Sequence, residues 1–204
     1  MITIDNLEID FVPNCNHIDY IFAETEVFFS AKQLITAIET RLKSIPESLI
    51  KRFNDDGWTC IVTNQRNLER EYRYNYRISG LTDYAKKQII IYAEWDAIQY
   101  SLPHELGHFL DYSLGTITKS GKWIRVFNYD SQHIPADKTY YFTEPNLKEE
   151  FFADAFLLYC DDKNAPRGME DSFKVIAKSL DALPYVKNNE SSIIVQNMTR
   201  PWNY

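Results

Sequence analysis

Two histidines and a glutamate lie close together in SLPHELGHFL, residues 101–110. On an α-helix, His104 and His108 would share one face, because residues four positions apart lie one above the other. Zinc binds histidine nitrogens at about 2.0–2.1 Å and lowers the pKa of a bound water toward about 7. Glu105 is turned by one residue from His104, so it is placed to take a proton from that water and pass it to a leaving amine. The motif therefore indicates a metal site for hydrolysis.

A zinc site needs a third protein ligand besides the histidine pair. Asp111 shares the helix face but lies about 10 Å along the axis from His104. That distance favours Asp111 as a hydrogen-bond acceptor that orients a histidine ring. His133 in a polar stretch and His17 near the N-terminus are weaker candidates, because nothing in their neighbourhood repeats a ligand spacing.

A second acidic cluster lies in EEFFADAF, residues 149–156. Glu150 and Asp154 are four residues apart and would share one helix face. Carboxylates among aromatic residues need a partner, which a metal ion with a hydrogen-bonded histidine would supply. The alternative is that acidic residues only stabilise the helix N-terminus through its dipole, which suits Glu149 better than Asp154. The third ligand is thus sought among these carboxylates.

The elements that must position these residues follow from hydrophobic patterning. We predict helices over 30–45, with Ser30 as N-cap, and over 46–57, 120–130, 147–162 and 170–183. We predict strands over 18–29, 58–63 and 87–95, and irregular structure over 1–16. We predict a long loop or an extended excursion over 64–85, and a loop over 131–146. The strand over 87–95 is either an edge strand, to which an extended peptide could add, or an interior strand, as its apolar run indicates.

Composition bounds the class of protein. The chain has 204 residues, 45% hydrophobic and 25% charged, which is typical of a globular protein, and we predict one domain over 1–204 with its core at about 17–185 and a loose C-terminal tail. A net charge of −7 argues against nonspecific nucleic-acid binding. No apolar run approaches the roughly 20 residues of a membrane span, and MITIDNLEID has no signal-peptide pattern. The wide spacing of Cys15, Cys60 and Cys160 indicates free thiols.

Two motifs together resemble a known family. PHELGHFLDYSLG followed by EEFFADAF is similar to the zinc protease domain of anthrax lethal factor and of the related Pro-Pro endopeptidases, which carry HExxHxxD and later an acidic residue before FFAE or FFAD. Here Glu150 follows His108 by 42 positions. LIKRFNDDGWTCIVT also resembles the family's stretch ahead of the catalytic part, so the resemblance covers roughly residues 30–185.

The resemblance implies an α+β, zincin-like fold with a small mixed sheet, an active-site HExxH helix and a mainly helical C-terminal half. It implies His104, His108 and Glu150 as zinc ligands of a gluzincin-type site, Glu105 as general base, and Asp154 as a hydrogen-bond partner behind a ligand. A family tyrosine that stabilises the oxyanion lies seven residues before the glutamate ligand, where this chain has Thr143. The nearest tyrosines are Tyr141 and Tyr140, and we favour Tyr141.

The sequence thus predicts a zinc metalloendopeptidase that binds a peptide or protein substrate in extended form. The alternatives are an ImmA-type intracellular protease that cleaves regulators, and a lethal-factor-like domain that binds partners without catalysis. Members of the resembled family are commonly secreted or delivered as toxins. With no signal peptide visible, we expect a cytosolic protein or one exported by a non-classical route.

Overall fold

The computed structural model describes residues 2–4, 7–12, 31–63 and 79–183 of the chain. The described helices are α1 Ala31–Leu42, α2 Glu47–Asp55, α3 Leu102–Ser113, α4 Gly121–Asp130, α5 Lys148–Asp161 and α6 Glu170–Ala182. The described strands are β1 Ile2–Ile4, β2 Leu7–Val12, β3 Thr59–Thr63, β4 Gly80–Asp83 and β5 Gln88–Tyr92. The predicted α+β class, with a small mixed sheet and a mainly helical C-terminal half, is confirmed, and the single domain over 1–204 stays a prediction.

The strands form one mixed sheet in the order β1-β2-β3-β5-β4. The central strands β2, β3 and β5 run parallel, and β1 and β4 pair antiparallel at the two ends. The register of β3 and β5 sets Cys60 beside Ile89 and Val62 beside Ile91. All four side chains are buried, so one face of these two strands contributes to the hydrophobic core.

A short hairpin joins β4 to β5. The Asp83 carboxylate accepts hydrogen bonds from the backbone N–H groups of Ala85 and Lys86, at 3.1 and 3.0 Å, and so closes the turn. Because β5 pairs with β3 on one side and β4 on the other, it is an interior strand, and β4 is an edge of the described sheet. The prediction of one loop over 64–85 is therefore wrong for Gly80–Asp83, whereas 64–78 lie outside the described residues.

The N-terminal prediction needs a second correction. Residues 1–16 were expected to be irregular, but Ile2–Ile4 and Leu7–Val12 are strands. The backbone of β2 pairs with β3, far along the chain, and this long-range pairing is not visible in local sequence. The strand predicted over 18–29, the Ser30 cap, Cys15, His17 and the tail over 184–204 lie outside the described residues.

The predicted helices are present in the structure, and contacts between residues close in the sequence explain where they lie. In α1, the side chains of Leu34, Ala37, Ile38 and Leu42 form a buried apolar stripe at helical spacing. Pro46 lies at the start of α2, and Gly57 after its end has φ +72°, a conformation that glycine adopts without strain. Ser120 caps α4, because its hydroxyl accepts the Trp123 N–H at 3.1 Å.

Helices α3 and α5 pack against each other in the core. The side chains of Phe151, Phe152, Ala155 and Phe156 are fully buried, which confirms the predicted core face of α5. On α3, a Cβ added at Gly107 would lie 2.8 Å from the Ala153 Cα, so the two backbones approach too closely for any side chain there. This contact sets the HELGH motif directly opposite the EEFFADAF segment.

In the ranges that the structure describes, no helix has both the length and the apolar character needed to cross a membrane.

Candidate metal centre

His104, Glu105 and His108 lie in the first two turns of α3. A π-helical segment, Ala97–Ser101, runs directly into this helix, and Pro103 occupies its first turn, where the missing N–H costs nothing. Single π-turns of this kind are frequent next to functional sites. The local sequence thus starts the helix just before the histidine pair.

The two histidines and one carboxylate from α5 form a compact cluster. The His104 Nε2 lies 3.1 Å from the His108 Nε2 and 3.2 Å from the Glu150 Oε2, and the His108 Nε2 lies 3.4 Å from the same oxygen. The three donor atoms therefore form a nearly equilateral triangle. Within the described part of the chain, these residues are the group that could hold a metal ion.

The size of this triangle fits zinc. With bonds of about 2.0–2.1 Å, a tetrahedral ion needs its donor atoms roughly 3.3–3.4 Å apart. The measured separations of 3.1–3.4 Å lie close to that value. Two imidazole nitrogens and a carboxylate oxygen are also the donor types that zinc accepts. Both the chemistry and the spacing of the three residues thus fit zinc.

Asp154 contacts the His104 ring at the nitrogen that does not face the cluster. Its Oδ1 lies 2.7 Å from the His104 Nδ1, and its Oδ2 accepts the Thr143 N–H at 3.3 Å. Asp154 is 1% exposed, so water does not compete for these contacts. The contact sets the ring with Nδ1 toward Asp154 and Nε2 toward the cluster.

Hydrogen bonds within the cluster shift the pKa values of His104 and Glu150 in opposite directions. Burial alone would lower the pKa of His104, but hydrogen bonds to Asp154 and Glu150 outweigh burial and hold this pKa well above its usual value. For Glu150, burial alone would raise the pKa, but hydrogen bonds from His104 and His108 outweigh it and bring the pKa well below its usual range. Contacts to the two carboxylates, at 2.7 Å to Asp154 and 3.2 Å to Glu150, therefore hold the His104 ring at the cluster.

Glu105 points to the edge strand. It is 7% exposed, and its Oε2 accepts a hydrogen bond of 2.6 Å from the Thr82 hydroxyl. A Cβ added at Gly80 would lie 3.0 Å from the Glu105 Oε1. The predicted general base is thus not a ligand of the cluster but lies beside it, against β4.

Asp111 has a different partner from the one expected. Its Oδ1 accepts the Thr118 N–H and its Oδ2 accepts the Thr118 hydroxyl, both at 2.8 Å. Burial raises the pKa of Asp111, although these bonds oppose the shift. Among the described residues, neither histidine ring makes a hydrogen bond to Asp111. Asp111 instead ties the end of α3 to the short 3-10 segment Ile117–Lys119.

The structure does not bring Tyr141 to the cluster, and the predicted oxyanion donor is corrected here. The Tyr141 hydroxyl donates to the Asp161 Oδ2 at 2.8 Å, and Asp161 also pairs with the Arg41 guanidinium. Asp161 is at the last turn of α5, about 16 Å along the axis from Glu150 at 1.5 Å per residue. Tyr140, the second choice, is 64% exposed, with its ring against Tyr141.

The other candidates also lie apart from the cluster. The His133 Nδ1 lies 2.7 Å from the Tyr129 carbonyl oxygen, and its ring stacks on that tyrosine. Glu149 pairs with Lys148 at 3.3 Å, as expected for a charge at a helix N-terminus. Neither residue belongs to the three that could hold an ion.

The sequence reasoning missed the residues of β4 and the turn after it. Thr82 and Gly80 contact Glu105. Tyr84, 41% exposed, packs its ring on Tyr112 and Trp58. The available signal was an aspartate at a turn before the apolar run of β5, which is typical of a hairpin.

The chain is similar to known proteins in one segment and in its fold. Residues 88–172 match the family described as anthrax toxin lethal factor, N- and C-terminal domain. The fold is similar to that of the Pro-Pro endopeptidase from Paenibacillus alvei, with a TM-score of 0.57 at 17% identity, over 82% of this chain and 96% of that chain. No curated protein sequence matches the chain. The predicted resemblance is thereby confirmed: this chain is like anthrax lethal factor in the segment that carries both motifs, and like a Pro-Pro endopeptidase in its fold.

Proposed function

We propose that the protein is a zinc-dependent metalloendopeptidase of the gluzincin type. The observation that carries the proposal is the triangle of donor atoms from His104, His108 and Glu150, whose sides of 3.1, 3.2 and 3.4 Å fit tetrahedral zinc. A peptide substrate is supported by the family match and by the endopeptidase that shares the fold. The proposal therefore joins a site that fits zinc to a fold that is known in a peptidase.

Each residue of the site has a chemical role in this proposal. The histidine pair and Glu150 hold zinc, which when bound supplies a Lewis acid that activates water and polarises a carbonyl. Glu105 accepts the proton of the attacking water and returns it to the departing amine. Asp154 accepts the His104 Nδ1–H, keeps the ring in position and raises the basicity of its other nitrogen.

The substrate is proposed to dock along β4. One side of this strand pairs with β5, and β4 is the last strand of the sheet that the structure describes. An extended peptide can pair with such an edge as an added strand. Because Gly80 and Thr82 contact Glu105, a peptide on this edge would lie beside the general base.

The test is the substitution Glu105→Gln, which keeps the shape of the side chain but removes its basicity. We expect the variant to bind one zinc per chain and to lose about 10²–10⁴-fold in kcat. Substrates come from a peptide library, with cut positions read by mass spectrometry with and without a chelator. The matched control is Glu149→Gln, in the first turn of α5, which should cleave as the wild type does.

Two results would contradict the proposal. If Glu105→Gln cleaved peptides at the wild-type rate, Glu105 would not be the general base. A wild-type chain that purifies without zinc, does not take it up and cuts no peptide would instead favour a partner-binding domain.

A further inference from the structure

The site contains a contact between the edge strand and the proposed general base. In β4, Gly80 and Thr82 are two residues apart, so both face the same side of the sheet. Both meet Glu105 on that side, one through its backbone and one through its hydroxyl. We infer that Thr82 and Gly80 are positioning residues that hold the Glu105 carboxylate in its reactive orientation, an inference that rests on the proposed function.

The hydrogen bond carries the first part of the inference. The Thr82 hydroxyl donates to the Glu105 Oε2 at 2.6 Å, which is a short hydrogen bond. The same hydroxyl lies 3.4 Å from the Glu105 backbone oxygen, so it is directed at this one residue of α3. Threonine has a stiff χ1 angle, because two heavy atoms branch from its Cβ, so the donor is held in place.

The burial of Glu105 makes this donor necessary. A carboxylate that is 7% exposed loses most of its hydration, so it needs a hydrogen-bond donor from the protein to hold it in place. Thr82 satisfies Oε2, so in this inference Oε1 is the oxygen that accepts a proton. The two oxygens of one carboxylate thus have separate tasks, one structural and one chemical.

The second part of the inference concerns the space beside Gly80. A Cβ at this position would lie 3.0 Å from the Glu105 Cγ, 3.0 Å from Oε1 and 3.0 Å from the Ser101 Cβ. Real Cβ contacts are rarely this short, so any side chain would displace the carboxylate. The glycine therefore keeps open the space that Oε1 needs.

The strand that positions Glu105 is also the strand proposed to hold the substrate. The Thr82 side chain faces α3, whereas a docked peptide would pair with the backbone at the outer edge of β4. Loss of the hydroxyl should therefore change the chemical step and leave peptide docking intact. This predicts an effect on kcat with little change in KM.

The experiment compares Thr82→Val, which has the shape of threonine without the hydroxyl, with Thr82→Ser, which keeps the hydroxyl. We expect Thr82→Val to lower kcat about 10- to 100-fold, as for loss of a hydrogen bond to a charged group, while KM and bound zinc stay at wild-type values. Thr82→Ser should recover most of kcat. Gly80→Ala should lower kcat in the same way. The control is Thr40→Val, at an exposed position of α1 where the hydroxyl donates to the Thr36 carbonyl.

Crystal structures of the zinc-loaded variants give a readout independent of activity. Glu105 should keep its contact with residue 82 in Thr82→Ser and change rotamer in Thr82→Val and Gly80→Ala. An unmoved Glu105 with unchanged kcat in Thr82→Val would overturn the inference, as would a loss that Thr82→Ser does not recover. If Glu105→Gln is inactive but Thr82→Val is fully active, only the positioning role fails. If Glu105→Gln remains active, the proposed function fails first.

Discussion

The imidazole of His104 is held by two carboxylates at once. Asp154 lies at its Nδ1 and Glu150 at its Nε2, at 2.7 and 3.2 Å. These two contacts give the half-buried ring one orientation, with its Nε2 toward His108 and Glu150. At the scale of single residues, the site is therefore preorganised by hydrogen bonds between charged groups.

The role of Asp154 can be measured apart from catalysis. Asp154→Asn keeps the size of the side chain but removes the charge that holds the His104 Nδ1–H, so we expect zinc affinity to fall about 10–100-fold. Competition with a chromophoric chelator measures this affinity. Asp162→Asn, an exposed change just past the end of α5, should leave it unchanged. Equal affinities for Asp154→Asn and the wild type would show that Asp154 does not support the ligand.

For Tyr141, we expect a substitution to change stability and not catalysis. Because its hydroxyl donates to Asp161, we expect Tyr141→Phe to leave kcat unchanged and to lower the free energy of unfolding by about 0.5–1.5 kcal/mol. Chemical denaturation measures the change. Tyr129→Phe, at a tyrosine that is 59% exposed, should alter neither property. A large loss of kcat in Tyr141→Phe would restore the oxyanion role that the resemblance implied.

At the scale of elements, the metal centre depends on how closely α3 and α5 approach. The histidines come from α3, and Glu150 and Asp154 from α5. Gly107 lies within the motif itself, against the Ala153 backbone, and has no side chain to separate the helices. A glycine inside a helix costs about 1 kcal/mol relative to alanine, and here the close packing of the two helices offsets that cost.

Gly107→Ala tests this packing. The added methyl group would meet the Ala153 Cα at 2.8 Å, so we expect a loss of about 1–3 kcal/mol in the free energy of unfolding, as for overpacking of a core, together with weaker zinc binding. Gly121→Ala is the matched control, because a Cβ there has no atom within 4 Å. Thermal melting of both variants measures the difference. An unchanged Tm in Gly107→Ala would mean that α3 and α5 can move apart without loss of stability.

At the scale of the whole molecule, a bound ion would connect two helices that are distant in the sequence. A ligand that binds only the folded state stabilises it by about 2.7 kcal/mol at 100 times its Kd. The described core surrounds this junction, with Phe109, Leu110, Phe151 and Phe156 all fully buried. Zinc binding should therefore raise the stability of the fold as well as enable catalysis.

This linkage predicts a zinc-dependent Tm. For a chain of this size we expect saturating zinc to raise Tm by about 5–10 °C over the chelator-treated protein. Differential scanning calorimetry at several zinc concentrations measures the shift. Glu150→Gln should lose most of it, because one of the three donors is weakened, whereas Glu149→Gln should keep it. The same shift in Glu150→Gln would place the stabilising metal elsewhere.

The sequence by itself determined the helices and the chemistry they carry. The apolar stripe of α1, the Ser120 cap of α4 and the aromatic run of α5 are local patterns, because helical hydrogen bonds and caps join residues a few positions apart. The spacing of His104 and His108 likewise places both side chains on one face of a single helix, with Glu105 beside them. For this reason these elements were predictable without a structure.

Only the tertiary structure decided which residues meet across the chain. It showed Glu150 within 3.4 Å of both histidines, and it directed Tyr141 to Asp161 and Asp111 to Thr118. It also identified β4 as a strand whose Thr82 reaches Glu105, although GLTD has little strand character of its own. The physical reason is that sheet pairing and helix packing are long-range contacts, and local propensity does not encode their partners.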